Sequence, residues 1–122
     1  EIPKASRSAL VEEVRAACDS AREHRLGGDV HDVDWLLTAA RLLLWVREGR
    51  FSSKSEAADW GVVHARGAWR ELLPRAKELR FQPSAAESYE MKRWLGTLGQ
   101  PIREAVEELE RELARREREE EG

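Results

Sequence analysis

The sequence predicts an all-α bundle of five to six helices, and three observations carry that expectation. Apolar residues recur at steps of three and four along almost the whole chain. No segment alternates apolar and polar residues as a half-buried strand would, and no internal repeat is visible. Gly27-Gly28, Gly49, Pro83 and Gly99 fall between the periodic segments, where helices should stop. With 122 residues the chain has the length of one domain, enough to bury a single core.

The first helix is expected over 6–25. Leu10, Val14, Ala17 and Ala21 share one face there, Glu12, Glu13, Arg15 and Arg22 lie off it, and Gly27-Gly28 ends the helix. Asp29, Asp32 and Asp34 then make an acidic segment, and Asp32 or Asp34 is suited to cap a second helix that runs to Glu48. Leu36, Leu37, Ala39, Ala40, Leu43, Leu44 and Val46 put apolar groups around most of that helix, the mark of a central element. Gly49 stops it.

Ser53-Lys54-Ser55-Glu56 spells a capping box at the start of a third helix, with Ala57, Trp60 and Val63 as its inward side. A fourth helix is expected over 68–80, with Trp69, Leu72, Leu73 and Ala76 inward. Pro74 falls in or near its first turns, where a missing amide costs little. After a turn at 81–84, Ser84 with Glu87 at N3 predicts the cap of a fifth helix carrying Met91, Trp94, Leu95 and Leu98. Gly96, Gly99 and Pro101 predict a break near Gly99. The last segment aligns Ile102, Val106, Leu109 and Leu113, and residues 115–122 read as a charged tail that frays into solvent.

Composition narrows the classes. Apolar residues make up 41% and charged residues 37%, with eight Gly and four Pro, which excludes collagen-like, low-complexity and disulfide-rich chains. Cys18 is the only cysteine, so no internal disulfide forms, and a reducing, cytoplasmic setting fits. A net charge of −3 argues against a general nucleic-acid binder. The longest apolar run, near Leu42 to Val46, is flanked by Arg41 and Arg47 and falls well short of the roughly 18 residues that a membrane span needs. Residues 1–25 carry charges throughout and lack the apolar core of a signal peptide. The chain opens on Glu1-Ile2-Pro3 rather than Met, which reads as a piece of a longer protein.

Few residues offer chemistry. Asp32-Val33-Asp34 has the spacing of a Mg²⁺-binding carboxylate pair, but such pairs sit on a strand after a Gly-Ser turn. Here the pair opens a helix, where capping and dipole compensation account for it. His24, His31 and His64 are scattered among polar residues, and Cys18 falls on the inner side of the first helix as a small hydrophobe. No nucleophile, base and orienting group come together, so the chain alone is not expected to catalyse a reaction.

Two cations stand out. Asp34, Thr38, Arg41, Trp45 and Glu48 line one side of the otherwise apolar second helix; Arg41 either pairs with Glu48 or Asp34, or faces a ligand. Lys54 lies in the first turn of the third helix, where its charge opposes the helix dipole, a placement that a bound phosphate would explain. The Ala57–Gly61-Val62 spacing followed by Arg66, Arg70 and Arg75 also fits a helix-turn-helix DNA-binding regulator or a stand-alone interaction module. The acidic balance and Pro74 stand against DNA binding.

Taken together, Pro3, Leu37-Thr38-x-x-Arg41, Gly49, Lys54, Ala57-Ala58-Asp59-Trp60 and the Leu72-to-Arg80 helix resemble, in order and interval, a known domain. It is the C-terminal helical domain of the aminoglycoside (3'')(9) adenylyltransferases, the streptomycin and spectinomycin resistance enzymes. The resemblance is gapless from about His31 to Phe81. It implies an N-terminal nucleotidyltransferase domain, outside this chain, that holds Mg²⁺ and the catalytic groups, with ATP and a cationic antibiotic bound in the cleft between the two domains. It also implies that Arg41 and Lys54 meet the ATP phosphates. On the antibiotic side, the family's acidic positions fall at His31 and Gly27, with Asp29, Asp32 and Asp34 in the same segment. An aromatic position that faces the nucleotide in the family falls near Arg80.

Overall fold

The apolar girdle of the second helix sets the architecture. A computed structural model describes residues 4–23 and 30–121, and the side chains of residues 7–119 among them. The helices are α1 (Lys4–Glu23), α2 (Val30–Glu48), α3 (Lys54–His64), α4 (Leu73–Phe81), α5 (Tyr89–Leu95) and α6 (Gly99–Glu121), with 3₁₀ turns at Ala68–Leu72 and Pro83–Glu87. No strand occurs among the described residues, and the chain is the all-α bundle its periodicity predicts. No helix is long and apolar enough to cross a membrane.

Twelve of the nineteen residues of α2 are buried, because α1, α3, α4 and α6 all pack against it. Leu36, Leu37, Leu43 and Leu44 of α2 meet Trp69, Leu73, Leu98, Ile102 and Leu109 in one continuous core. Each such side chain contributes about 1.5–3 kcal/mol by leaving water. Cys18 is buried in this core, and burial, with Glu110 nearby, pushes its thiol up to about 11, so it stays a neutral small hydrophobe.

Several boundaries differ from expectation, each for a local reason. Because α2 begins at Val30, Asp32 and Asp34 lie inside it and neither is its N-cap. The inward side of α3 is Ala57, Ala58 and Gly61, with Trp60 half-buried and Val63 exposed. The close approach of α3 to α4 decides this: a Cβ built on Gly61 would sit 2.6 Å from Leu73 Cδ1. The α4 helix starts at Leu73 and not Ala68, since Pro74 offers no amide to the preceding turn and its ring clashes with the carbonyl four residues back. The 3₁₀ turn holding Trp69 takes up the difference. Ser84 lies in the second 3₁₀ turn, and it is Ser88 that caps α5, accepting from the Met91 amide at 3.1 Å. The break after α5 falls at 96–98, just ahead of Gly99. Residues 115–121 continue α6. There Arg115 binds Glu112 and Glu119, each at 2.6 Å, and Arg116 donates to the Arg47 carbonyl. The end of the first helix at Gly27-Gly28 lies outside the described residues.

One buried charge cluster joins α2, α3, α6 and the 65–67 corner. Glu108 Oε1 accepts from the Gly67 amide at 2.8 Å and from Trp69 Nε1 at 2.9 Å. Its Oε2 accepts from the Arg66 amide at 2.8 Å and from Arg47 Nη2 at 3.1 Å. Arg47 also donates to the His64 carbonyl at 2.6 Å and pairs with Glu112 at 3.2 Å. Burial alone would raise the Glu108 carboxyl, but the donors at Arg66, Trp69 and Gly67 and the Arg47 charge hold it below the ordinary carboxylate range.

Removing that charge while keeping the shape tests the cluster. Glu108→Gln should lower unfolding stability by about 3 kcal/mol, since an amide NH₂ then faces two donors and Arg47 loses a buried counter-ion. A group depressed on folding stabilises above its unfolded pKa, about 4.3, and that contribution disappears as pH falls through the folded value. Denaturant melts from neutral pH down to about pH 3 should therefore show a steeper acid loss in the parent than in Glu108→Gln.

Candidate functional site

Because its neighbours cover α2 on most sides, one strip of it reaches solvent. His31 and Asp34 are exposed, Thr38 and Arg41 half-buried, Trp45 buried at the strip's base and Glu48 exposed. These positions follow steps of three and four, so they stack along one face.

Lys54 reaches this strip from α3. Its Nζ lies 2.7 Å from Asp34 Oδ1, with the lysine side chain 18% exposed. Arg80, at the end of α4, places Nη1 3.8 Å from the same oxygen. The Ser53 hydroxyl, accepting from the Glu56 amide at 3.1 Å, fixes the α3 N-terminus that carries Lys54. Asp34 thus supplies the anion that offsets a lysine placed against the helix dipole.

Arg41 has no such counter-ion. Among the described residues it makes no hydrogen bond or ion pair, because both expected partners are engaged elsewhere. Asp34 holds Lys54, and Glu48 accepts from Trp60 Nε1 at 2.6 Å and from Arg50 at 3.1 Å. The bond from Trp60, with help from Arg50, holds the Glu48 carboxyl below its ordinary range. Beside Arg41 a pocket of about 240 Å³ is lined by Glu13, Trp45, Phe51 and Ser52.

The remaining expected site residues divide. Asp32 is 2% exposed, so its side chain is inside the bundle while that of Asp34 is outside, and the two carboxylates do not converge. Asp29, like His24, lies outside the described residues. His64 is exposed and stacks on Trp60 at 5.0 Å. Among the described residues no group of three His, Cys, Asp or Glu side chains is gathered that would ligate a metal. Of the arginines that suggested a DNA-reading helix, Arg70 donates to the Ala65 carbonyl at 3.3 Å and Arg75 lies 5.4 Å over the Trp94 ring. The Arg80 contact with Asp34 and the Trp45–Phe51 pair, with ring centroids 4.3 Å apart, join the strip only in three dimensions.

Residues 1–97 match the family model described as aminoglycoside adenylyltransferase, C-terminal domain, and the chain belongs to that family. No curated protein and no solved structure matches. The matched span contains the whole strip, Lys54 and Arg80, and ends before α6.

If Arg41 serves no internal contact, its removal should cost the fold little. Arg41→Ala should leave unfolding stability within about 1 kcal/mol of the parent, and Asp34→Ala, which opens a solvated ion pair, should cost under about 1 kcal/mol. Chemical denaturation measures both.

Proposed function

We propose, from membership of the aminoglycoside adenylyltransferase C-terminal domain family, that this chain is the helical half of an ATP-dependent nucleotidyltransferase that adenylylates an aminoglycoside-type antibiotic. In this reading the strip of α2 and the start of α3 face a cleft shared with a nucleotidyltransferase domain, and the helical half closes it over ATP and drug. The observation that carries the proposal is Arg41, a half-buried guanidinium with no anionic partner among the described residues, on the same face as the Asp34 that holds Lys54. A guanidinium and an ammonium beside a helix N-terminus neutralise a polyphosphate through charge-assisted hydrogen bonds.

The separate domain holds Mg²⁺ and the catalytic groups in this reading; the ion supplies charge neutralisation at the transferring phosphoryl group. Arg41 and Lys54 bind and orient the triphosphate. Asp34, exposed at the solvent end of the strip, and His31 beside it are the groups offered to the antibiotic, whose ammonium groups need hydrogen-bonded anions. The burial of Asp32 suits it to hold the start of α2 under those two, and Asp29 completes the acidic segment assigned to the drug side. Antibiotic resistance is the role that follows in a cell.

Isothermal titration of the intact enzyme tests the assignment. Arg41→Ala and Lys54→Ala should each weaken ATP binding by about 1.5–3 kcal/mol, the usual worth of a hydrogen bond to a charged group. Asp34→Asn should lower affinity for a cationic aminoglycoside by about 1 kcal/mol while ATP still binds. Unchanged ATP affinity in both cation variants would overturn the phosphate assignment.

A further inference from the structure

Three cations meet at the exposed strip of α2, and the anions beside them do not balance them. Lys54 Nζ lies 2.7 Å from Asp34 Oδ1, and Arg80 Nη1 lies 3.8 Å from the same oxygen. One carboxylate oxygen thus faces two positive charges, and the nearer takes the hydrogen bond. Arg80 makes no hydrogen bond among the described residues and its side chain is 44% exposed, so its donor fork is unmet. Arg41, seven residues after Asp34 and about 10 Å further along α2, has no counter-ion among the described residues either. Glu48 is taken up by Trp60 and Arg50. Glu13 lines the space beside Arg41 but forms no ion pair with it. Even with Glu13 counted, the row carries an excess of positive charge on a chain whose net charge is −3.

We infer that Arg80 is the third cation of a polyphosphate site and that Asp34 is the resident anion which the phosphate displaces; the inference rests on the phosphate reading above. Two cations that converge on one carboxylate oxygen are placed to converge on one phosphate group, which offers more oxygens and more charge. The distance from that point to Arg41 is too long for a single phosphate and suits a linked chain of them. Arg80 lies in the last turn of α4, where the helix dipole favours a cation with or without a ligand. The dipole accounts for an arginine at that position. It does not account for the guanidinium standing over a carboxylate that Lys54 already holds. Asp34 therefore competes with the phosphate for both cations, and its charge opposes the binding of a polyanion.

Binding of inorganic tripolyphosphate to the intact protein, with no drug present, tests this. Arg80→Ala should weaken it by about tenfold, the low end of what a hydrogen bond to a charged group is worth. Arg80→Gln, which keeps part of the stem and loses the charge, should weaken it as well, which separates charge from packing. Asp34→Asn should tighten it by about two- to fivefold, since a solvated ion pair no longer has to open. A purely structural Asp34–Lys54 pair predicts the opposite sign, because its loss would loosen Lys54. Unchanged affinity in the two Arg80 variants, or an Asp34→Asn protein that binds no tighter, overturns the three-cation site. Arg41→Ala and Lys54→Ala should each weaken tripolyphosphate; if neither does, it is the phosphate reading that fails.

Discussion

The structure depends on the encirclement of α2. A helix packed against five others has almost no surface of its own, and what it keeps is the strip from His31 to Glu48. Any ligand group that the central helix presents must come from that strip. Its side chains start from a helix with twelve of nineteen residues buried, which holds them more firmly than a loop would. A half-buried arginine there is well placed to be pre-organised for a ligand.

Partner inventories separate the two arginines of α2. Arg41 and Arg47 are six residues apart, so they leave the helix on different faces. Arg47 meets Glu108, Glu112 and the His64 carbonyl, a closed set that the fold consumes. Arg41 meets no anion among the described residues. The same residue type in the same helix thus serves stability in one place and is left over in the other. Composition cannot draw that distinction, because it turns on where Glu48 and Asp34 spend their carboxylates.

The bundle was legible because helical period and glycine or proline punctuation are local signals. The central role of α2, the Ser53 cap and the singularity of Arg41 and Lys54 were readable for the same reason. What escaped is tertiary. The inward side of α3 turned from Val63 to Gly61 because α4 approaches closely, a fact about two helices. The pairing of Lys54 with Asp34 bridges twenty positions, and the Glu108 cluster spans still more. A sequence signal for the latter existed: Glu108 and Glu112 each sit one position before Leu109 and Leu113, at the edge of the apolar stripe of α6. Carboxylates at that edge are drawn into the packed interface and need a donor there.

The cluster also links α6, which lies beyond the matched family span, to the candidate site. Glu108 grips the Arg66 and Gly67 amides just past the end of α3, while Arg47 holds the carbonyl of His64 inside its last turn. Over its eleven residues α3 is rigid and about 16 Å long, and its other end carries Lys54. Pinning the C-terminal end of α3 therefore restricts where its N-terminal cation can stand relative to Arg41. Asp34 then trims the last degrees of freedom of the lysine side chain. Through this cluster α6 helps to set the spacing between the two cations on which a polyphosphate would depend.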